Sequence, residues 1–258
     1  MDWIIIILFI IVTSVSGYFY KLLTWSGSIA AIAIGIAVAI GFGVKGLLLL
    51  GFFFASSSFW SKFKRKNKSK MEERHEKGSQ RDWQQVVANG GAAALFSLLY
   101  FVYQLPVFVI GFAIAIAAAN SDTWASEIGS LSKRPPIFIR TLKRIDTGTS
   151  GAVSLLGTIA AILGSLLIAI LSYYFFQLSL PLALVIFVFG FLGNVIDTLL
   201  GAYFQVVYQC EACYAEVESI MHCGKKTKLI KGHSFFNNDF VNFFSGFLAA
   251  TIGLIISL

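Results

Sequence analysis

Two acidic residues stand inside otherwise apolar stretches. Asp122 lies in Asn120-Ser121-Asp122-Thr123-Trp124-Ala125-Ser126-Glu127-Ile128-Gly129, and Asp197 in Gly193-Asn194-Val195-Ile196-Asp197-Thr198. Acidic side chains at membrane depth are expensive and are usually kept to bind, move or transform something. On a helix, Asp122 and Ser126 are four apart, as are Thr123 and Glu127, so carboxylates and hydroxyls share neighbouring faces. Asn89 leads into an earlier apolar segment, and Asn238-Asp239 with Asn242 opens the last one. Carboxylates with amide oxygens suit Mg²⁺, which takes oxygen ligands and commonly shares its shell with substrate phosphates. Asp122, Glu127, Asp197 and Asp239 are therefore candidate magnesium ligands, and Asn89, Asn238 and Asn242 candidate phosphate-orienting groups. The plain alternative is a set of polar helix ends in interfacial water.

A second cluster runs from Arg140, Lys143 and Arg144 into Asp146-Thr147-Gly148-Thr149-Ser150-Gly151. Cationic side chains can neutralise the oxygens of a transferring phosphoryl group. Helix N-terminal amides beside Gly148, Thr149 and small hydroxyls make a phosphate cradle. As a lone signal this is weak against an ordinary helix cap with basic flanks, and the pattern is not the P-loop one. Gly148, Thr149 and Ser126 join Asn89, Asn238 and Asn242 as nucleotide-binding candidates, with Asp122, Glu127, Asp197, Arg140, Lys143 and Arg144 as candidates for the chemistry. His75 and His233 have no acidic or nucleophilic partner at a telling spacing.

All three cysteines fall in one stretch, as Cys210-Glu211-Ala212-Cys213 and then His222-Cys223-Gly224. Two thiolates two residues apart, with a second pair after a short gap, can build a tetrahedral zinc site. Adjacent His222 and Cys223 are awkward partners for one ion, and free thiols on a reducing side remain the other reading.

The elements that must position these residues are membrane spans. The chain has 258 residues, of which 57% are hydrophobic and only 13% charged. A soluble domain of this size would carry about twice that charge. Apolar stretches near 20 residues predict an all-α polytopic helical bundle of about eight spans, as one integral membrane domain over 1–258. The spans read as about 3–20, 26–43, 46–61, 84–104, 106–127, 151–175, 181–201 and 235–257, with a small Cys/His loop at 205–234. The run Trp3 to Val15 has no basic n-region and reads as a retained span, not a signal peptide. Between the second and third spans the short connection Gly41-Phe42-Gly43-Val44-Lys45-Gly46 sets a tight hairpin or a re-entrant pair against two full crossings.

The net charge of +7 does not point to nucleic acid, because its distribution follows the spans. An eight-span path places 19 of the 20 Lys and Arg on one side, leaving only Lys45 opposite. By the positive-inside rule that side is cytoplasmic and both termini are outside, as in a multi-pass protein of the cell membrane. The basic loop 62–81 serves as a topology signal or holds anionic headgroups of membrane lipids. The acids cluster toward cytoplasmic span ends, which fits a one-sided enzyme acting on a lipid phosphate better than a transporter with midplane carboxylates.

The motifs also resemble a known family. Arg81-Asp82 through Asn89-Gly90, Asp122-Thr123 with Ser126-Glu127-Ile128-Gly129, Gly148-Thr149 with Gly151 and Val153-Ser154, Asp197 with Gly201 and Gln205, the Cys/His run, and Asn238-Asp239 with Asn242 together resemble the DUF92 family of integral membrane proteins. That family includes transmembrane protein 19 and the phytyl-phosphate kinase of tocopherol synthesis. The resemblance implies a nucleotide-dependent kinase that uses CTP or another nucleoside triphosphate to convert an isoprenyl monophosphate to its diphosphate. Cytidylyl transfer to a lipid phosphate is the neighbouring chemistry, and transport the alternative from another class.

Overall fold

The computed structural model describes residues 3–64 and 80–257; most of the basic loop 62–81, including His75, lies outside the described residues. Among the described residues seven helices carry the fold: α1 (Trp3–Phe19), α2 (Trp25–Lys62), α3 (Trp83–Tyr103), α4 (Val107–Gly129), α5 (Leu155–Phe176), α6 (Leu180–Tyr203) and α7 (Asn238–Ile256). Their starts are written in short polar residues. The side chains of Thr24, Ser154 and Asn237 cap α2, α5 and α7, and Asp82 forms a reciprocal capping box with Gln85. Each such cap satisfies amides that would otherwise be left without partners at the helix start. At the other end, Gln104 and Gln177 take left-handed conformations that close α3 and α5 and turn the chain back.

α2 is the one helix whose length misleads. Its 38 residues would reach about 57 Å if straight. Instead Gly43 leaves helical geometry (φ 55°, ψ −142°), a conformation that glycine adopts without a Cβ penalty. Both ends of α2 then lie at one end of the bundle: the Thr24 amide donates to Arg81 O at 3.0 Å, and Lys62 Nζ to Tyr20 O at 2.8 Å. The hairpin expected around Gly41–Gly46 is therefore present, and its two arms correspond to the spans read at 26–43 and 46–61. The count of eight is matched only roughly. Among the described residues six helices are long and apolar enough to cross a membrane by length and composition, and α1, with 17 residues, is shorter.

α4 occupies the centre, with every residue from Ile110 to Ala118 buried. Its neighbours approach through small residues, since close backbone packing takes the place of a hydrophobic driving force in lipid. A Cβ on Gly157 of α5, for example, would meet Ala125 O at 2.9 Å. Buried polar groups tie the bundle across helices. Asn120 Nδ2 donates to Gly164 O at 2.8 Å while its Oδ1 accepts from Ser56 at 2.9 Å, and Ser121 Oγ donates to Ala161 O at 2.9 Å. These first two residues of the polar decad thus hold helices together. Large apolar side chains such as Phe19, Val102 and Leu155 cover the outside of the bundle.

The expectation of an all-α chain needs one addition. Residues 205–234, read as a loop, contain a four-stranded antiparallel sheet of β3 (Val207–Cys210), β4 (Glu216–Val217), β5 (Met221–His222) and β6 (Lys225–Lys231), in the order β4-β3-β6-β5. A smaller pair, β1 (Ile137–Phe138) and β2 (Ala152–Val153), folds the α4–α5 connection. The α4–α5 and α6–α7 connections emerge at the same end of the bundle as Lys62 and Arg81. Single cysteines introduced at 64, 134 and 228 of a cysteine-free variant should therefore all react from one and the same face of a sealed vesicle. Labelling of any one of them from the opposite face would break the shared-side arrangement.

Candidate active site

Four helices and one connection meet around an open pocket at this end. α4 contributes Asp122, Ser126 and Gly129; α6 contributes Asn194, Asp197 and Thr198; α7 contributes Asn238. α5 brings Gly157 and Thr158 together with its cap Ser154, and the connection Thr147–Val153 forms the remaining wall. The space is about 840 Å³, part of it continuous with solvent. Helical phase explains the carboxylate wall: Asp122 and Ser126 share a face of α4, and Asn194, Asp197 and Thr198 share one of α6.

The two acids are held by their neighbours. Asn194 Nδ2 donates to Asp122 Oδ1 at 3.1 Å, linking α6 to α4. Asp197 Oδ2 accepts from Ser245 Oγ at 3.1 Å and, with its amide nitrogen turned inward, from Asn242 at 3.0 Å. Asp122 and Asp197 lie within electrostatic reach of each other. Two like charges in a poorly hydrated cleft repel, and a divalent cation between them would relieve that cost. The donor set fits Mg²⁺: Asp122, Asp197, Asn194 and Asn238 all offer hard oxygens.

The opposite wall suits anions. Gly151 (φ 84°) turns the connection tightly against α6, where an added Cβ would come within 2.5 Å of Ala202. This close approach carries Gly148–Gly151 to the pocket beside the N-terminal end of α5, whose partial positive charge favours phosphate. Ser150 Oγ donates to Glu218, which also accepts from Gln205 Nε2 at 2.8 Å. Lys231 Nζ donates to the α6 carbonyls of Gly201 and Ala202 at 3.2 and 2.7 Å, capping that helix from the sheet.

Of the residues singled out in the sequence, the pocket gathers Asp122, Ser126, Gly148, Thr149, Asp197 and Asn238. Asn242 stands behind Asp197 as its hydrogen-bond donor. Glu127 lies elsewhere: five residues beyond Asp122 is about 140° around the helix, and its Oε1 accepts from Ser61 Oγ at 2.6 Å, close to Arg81. Asn89 donates to Gln85 O of its own helix at 2.9 Å. Asp239 occupies the first turn of α7 without lining the pocket, and Arg140, Lys143 and Arg144 are exposed on the turn between β1 and β2. Sequence reasoning passed over Asn194, Thr158 and Glu218. Asn194 had a signal, three residues before Asp197 on a small-and-polar face, whereas Glu218 depends on strand pairing that no spacing reveals.

The cysteine stretch also closes on itself. Cys210, Cys213, His222 and Cys223 bring their ligand atoms within 4.8 Å of one another. Cys223 is left-handed (φ 51°), which turns its thiol to the same side as the preceding imidazole and resolves the awkwardness of adjacent ligands. Hydrogen bonds from the Cys213 amide, then His222 and the Ala212 amide, lower the Cys210 thiol to about 6. The contact with Cys213 is the first cause raising Cys223 to about 11.

Comparisons with known proteins agree with the membrane architecture. The profile described as integral membrane protein DUF92 matches residues 8–250. Protein PGR of Arabidopsis thaliana is 30% identical over 268 residues, covering 93% of this chain and 91% of that protein. An uncharacterized membrane protein of Methanocaldococcus jannaschii is 36% identical over 165 residues, covering 63% of this chain and 66% of its own length. Protein VTE6, chloroplastic, of Arabidopsis thaliana is 28% identical over 189 residues, 71% of this chain and 56% of that protein. The match thus spans just under two thirds of the archaeal relative and little over half of VTE6. No solved structure matches the chain. With the profile covering nearly all of its helices and its pocket, the chain belongs to the DUF92 family of integral membrane proteins.

Proposed function

We propose that this protein transfers a phosphoryl group from a nucleoside triphosphate, CTP first among them, to an isoprenyl or phytyl-type monophosphate at the cytoplasmic membrane face. The observation that carries the reading is the pocket itself: two aspartates on one wall face a glycine turn and a helix N-terminus on the other, at the end of a membrane bundle. Kinship with VTE6 supports the same class, through the phytyl-phosphate kinase activity that the family resemblance implies.

Asp122 and Asp197, helped by Asn194 and Asn238, would hold magnesium. When bound, that ion draws charge from phosphate oxygens as the transfer proceeds. Asn242 and Ser245 fix the orientation of the Asp197 carboxylate, and Asn194 that of Asp122. The turn Gly148–Gly151 lets phosphate approach the main chain closely, and the N-terminal end of α5 supplies positive potential. Arg140, Lys143 and Arg144, exposed beside this entrance, raise the local concentration of anionic substrates. Leu155 and Ile159, next to the pocket-lining Ser154 and Thr158, are exposed on the outside of α5, so a prenyl tail can lie in lipid while its phosphate enters.

The test is product analysis with purified protein, a panel of prenyl monophosphates and labelled triphosphates. A lipid diphosphate together with nucleoside diphosphate is expected in Mg²⁺ and not in excess chelator. A nucleotide-linked lipid with released inorganic diphosphate would replace the kinase by a cytidylyltransferase. Tail-independent uptake of a solute into vesicles, without turnover of any triphosphate, would favour a transporter.

A further inference from the structure

We infer that Cys210, Cys213, His222 and Cys223 form a closed structural zinc centre, and that this centre braces the wall of the pocket through Glu218. In a tetrahedral site with Zn–S near 2.3 Å and Zn–N near 2.05 Å, ligand edges are about 3.8 Å between sulfurs and about 3.6 Å between sulfur and nitrogen. The side chains stand close to that spacing. Cys213 Sγ is 3.8 Å from Cys223 Sγ, and His222 Nδ1 is 3.4 Å from Cys213 Sγ and 3.3 Å from Cys223 Sγ. The sulfur pair is nearly twice as far apart as a disulfide bond of about 2.05 Å, and all three cysteines are free.

Two tight turns aim the ligands inward. Tyr214 (φ 59°) follows the Cys210–Cys213 pair, and Cys223 with Gly224 (φ 51° and 71°) ends the second. Left-handed backbone at a residue with a side chain is disfavoured, and metal binding offsets that cost. The Ala212 amide donates to Cys210 Sγ at 3.4 Å, an interaction that supports a thiolate. Three sulfurs and one imidazole select zinc over magnesium, and four protein ligands leave no open position for substrate. Binding releases the thiol protons, and the resulting centre carries one net negative charge beside Lys225, Lys226 and Lys228 of β6.

The surrounding sheet requires a staple. Its strands have four, two, two and seven residues, and most of β6 is exposed. Sheets this small rarely hold without a larger core, a disulfide or a metal. Yet the sheet has positions to keep: Glu218 accepts from Ser150 on the pocket wall, and Lys231 caps α6. The metal therefore acts on the pocket at a distance, by fixing β6, which ends in Lys231, and β4, which Glu218 directly follows.

The trial uses the full-length protein purified in detergent without chelator. Elemental analysis should find about one zinc per chain, and cobalt exchange should give the intense d–d bands and thiolate charge transfer of a tetrahedral site. The doubly substituted Cys213→Ser, Cys223→Ser chain should lose at least about nine tenths of the metal, whereas His222→Cys should keep it because four thiolates also suit zinc. Folded wild-type protein that neither retains zinc nor takes up cobalt would overturn the assignment, even if the substituted chains failed to fold. Stripping the metal should also raise amide exchange at 147–151 by about tenfold or more, the effect of losing roughly 1.4 kcal/mol of local protection. Unchanged exchange there would overturn the brace. Neither measurement depends on turnover, so both stand apart from the kinase reading.

Discussion

Asp122→Asn and Asp197→Asn should each lower turnover of a prenyl monophosphate by about 10²–10³-fold, the scale of losing one preorganised electrostatic contact in a transfer site. Both substitutions are nearly isosteric, and both preserve the packing that the acids now have. An asparagine oxygen at 122 can still accept from Asn194, and one at 197 can still accept from Ser245 and Asn242. Each removes one of two charges that repel across the cleft when no cation lies between them. The expected signature is thus a double one: turnover falls while thermal stability in metal-free buffer stays level or rises. Function that is bought with local instability behaves in this way. Wild-type turnover in either variant would remove that aspartate from the proposed site. Glu127→Gln is the informative contrast, since Glu127 faces Ser61 on another side of α4. It should leave turnover within about threefold, the level of surface and supporting changes.

The second large effect is expected at Gly151. Replacing it by valine puts a branched side chain into left-handed backbone, costing about 1–2 kcal/mol. The new Cβ also lands 2.5 Å from both Cα and Cβ of Ala202. Crowding of that kind costs a further 1–3 kcal/mol or so. The connection 147–153 would have to move off α6, taking the glycine turn away from the pocket. Gly151→Val should therefore lower the midpoint of thermal unfolding by several degrees and abolish turnover, both measurable in detergent. Gly51→Ala provides the control, because a Cβ there meets nothing within 4 Å and the backbone is helical. It should be neutral or stabilising by up to about 1 kcal/mol. A stable, active Gly151→Val chain would show that the loop does not depend on this close approach.

Much of the architecture was legible because the bilayer allows so few solutions. Hydropathy gave the helices, and the spacing of Gly41, Gly43 and Gly46 gave the reversal that splits α2 into two arms. What hydropathy could not give was the sheet at 205–234. Its strands are short and lysine-rich, so their pairing depends on partners up to two dozen residues away rather than on a two-residue alternation. The same limit governs the pocket. Asp122, Ser126, Asp197 and Asn238 are gathered where helical phase and span direction said they would be near one another. Glu127 is not, because the spacing to Asp122 that makes them neighbours in sequence turns them to different faces of α4. Arg140, Lys143 and Arg144 show the corresponding limit for connections: the path of the chain between paired strands, not helical phase, decides where they point, and no helical wheel applies to it.

The donor to Asp197 on α7 has a meaning in time as well as in space. Ser245 is 48 residues downstream of the carboxylate it binds. At about 5–20 residues per second of synthesis, α6 waits roughly two to ten seconds for that partner. During this interval the acid between Ile196 and Thr198 must be accommodated without the helix that completes its surroundings. Insertion of α7 is accordingly the event that gives the Asp197 carboxylate of α6 its Ser245 and Asn242 donors.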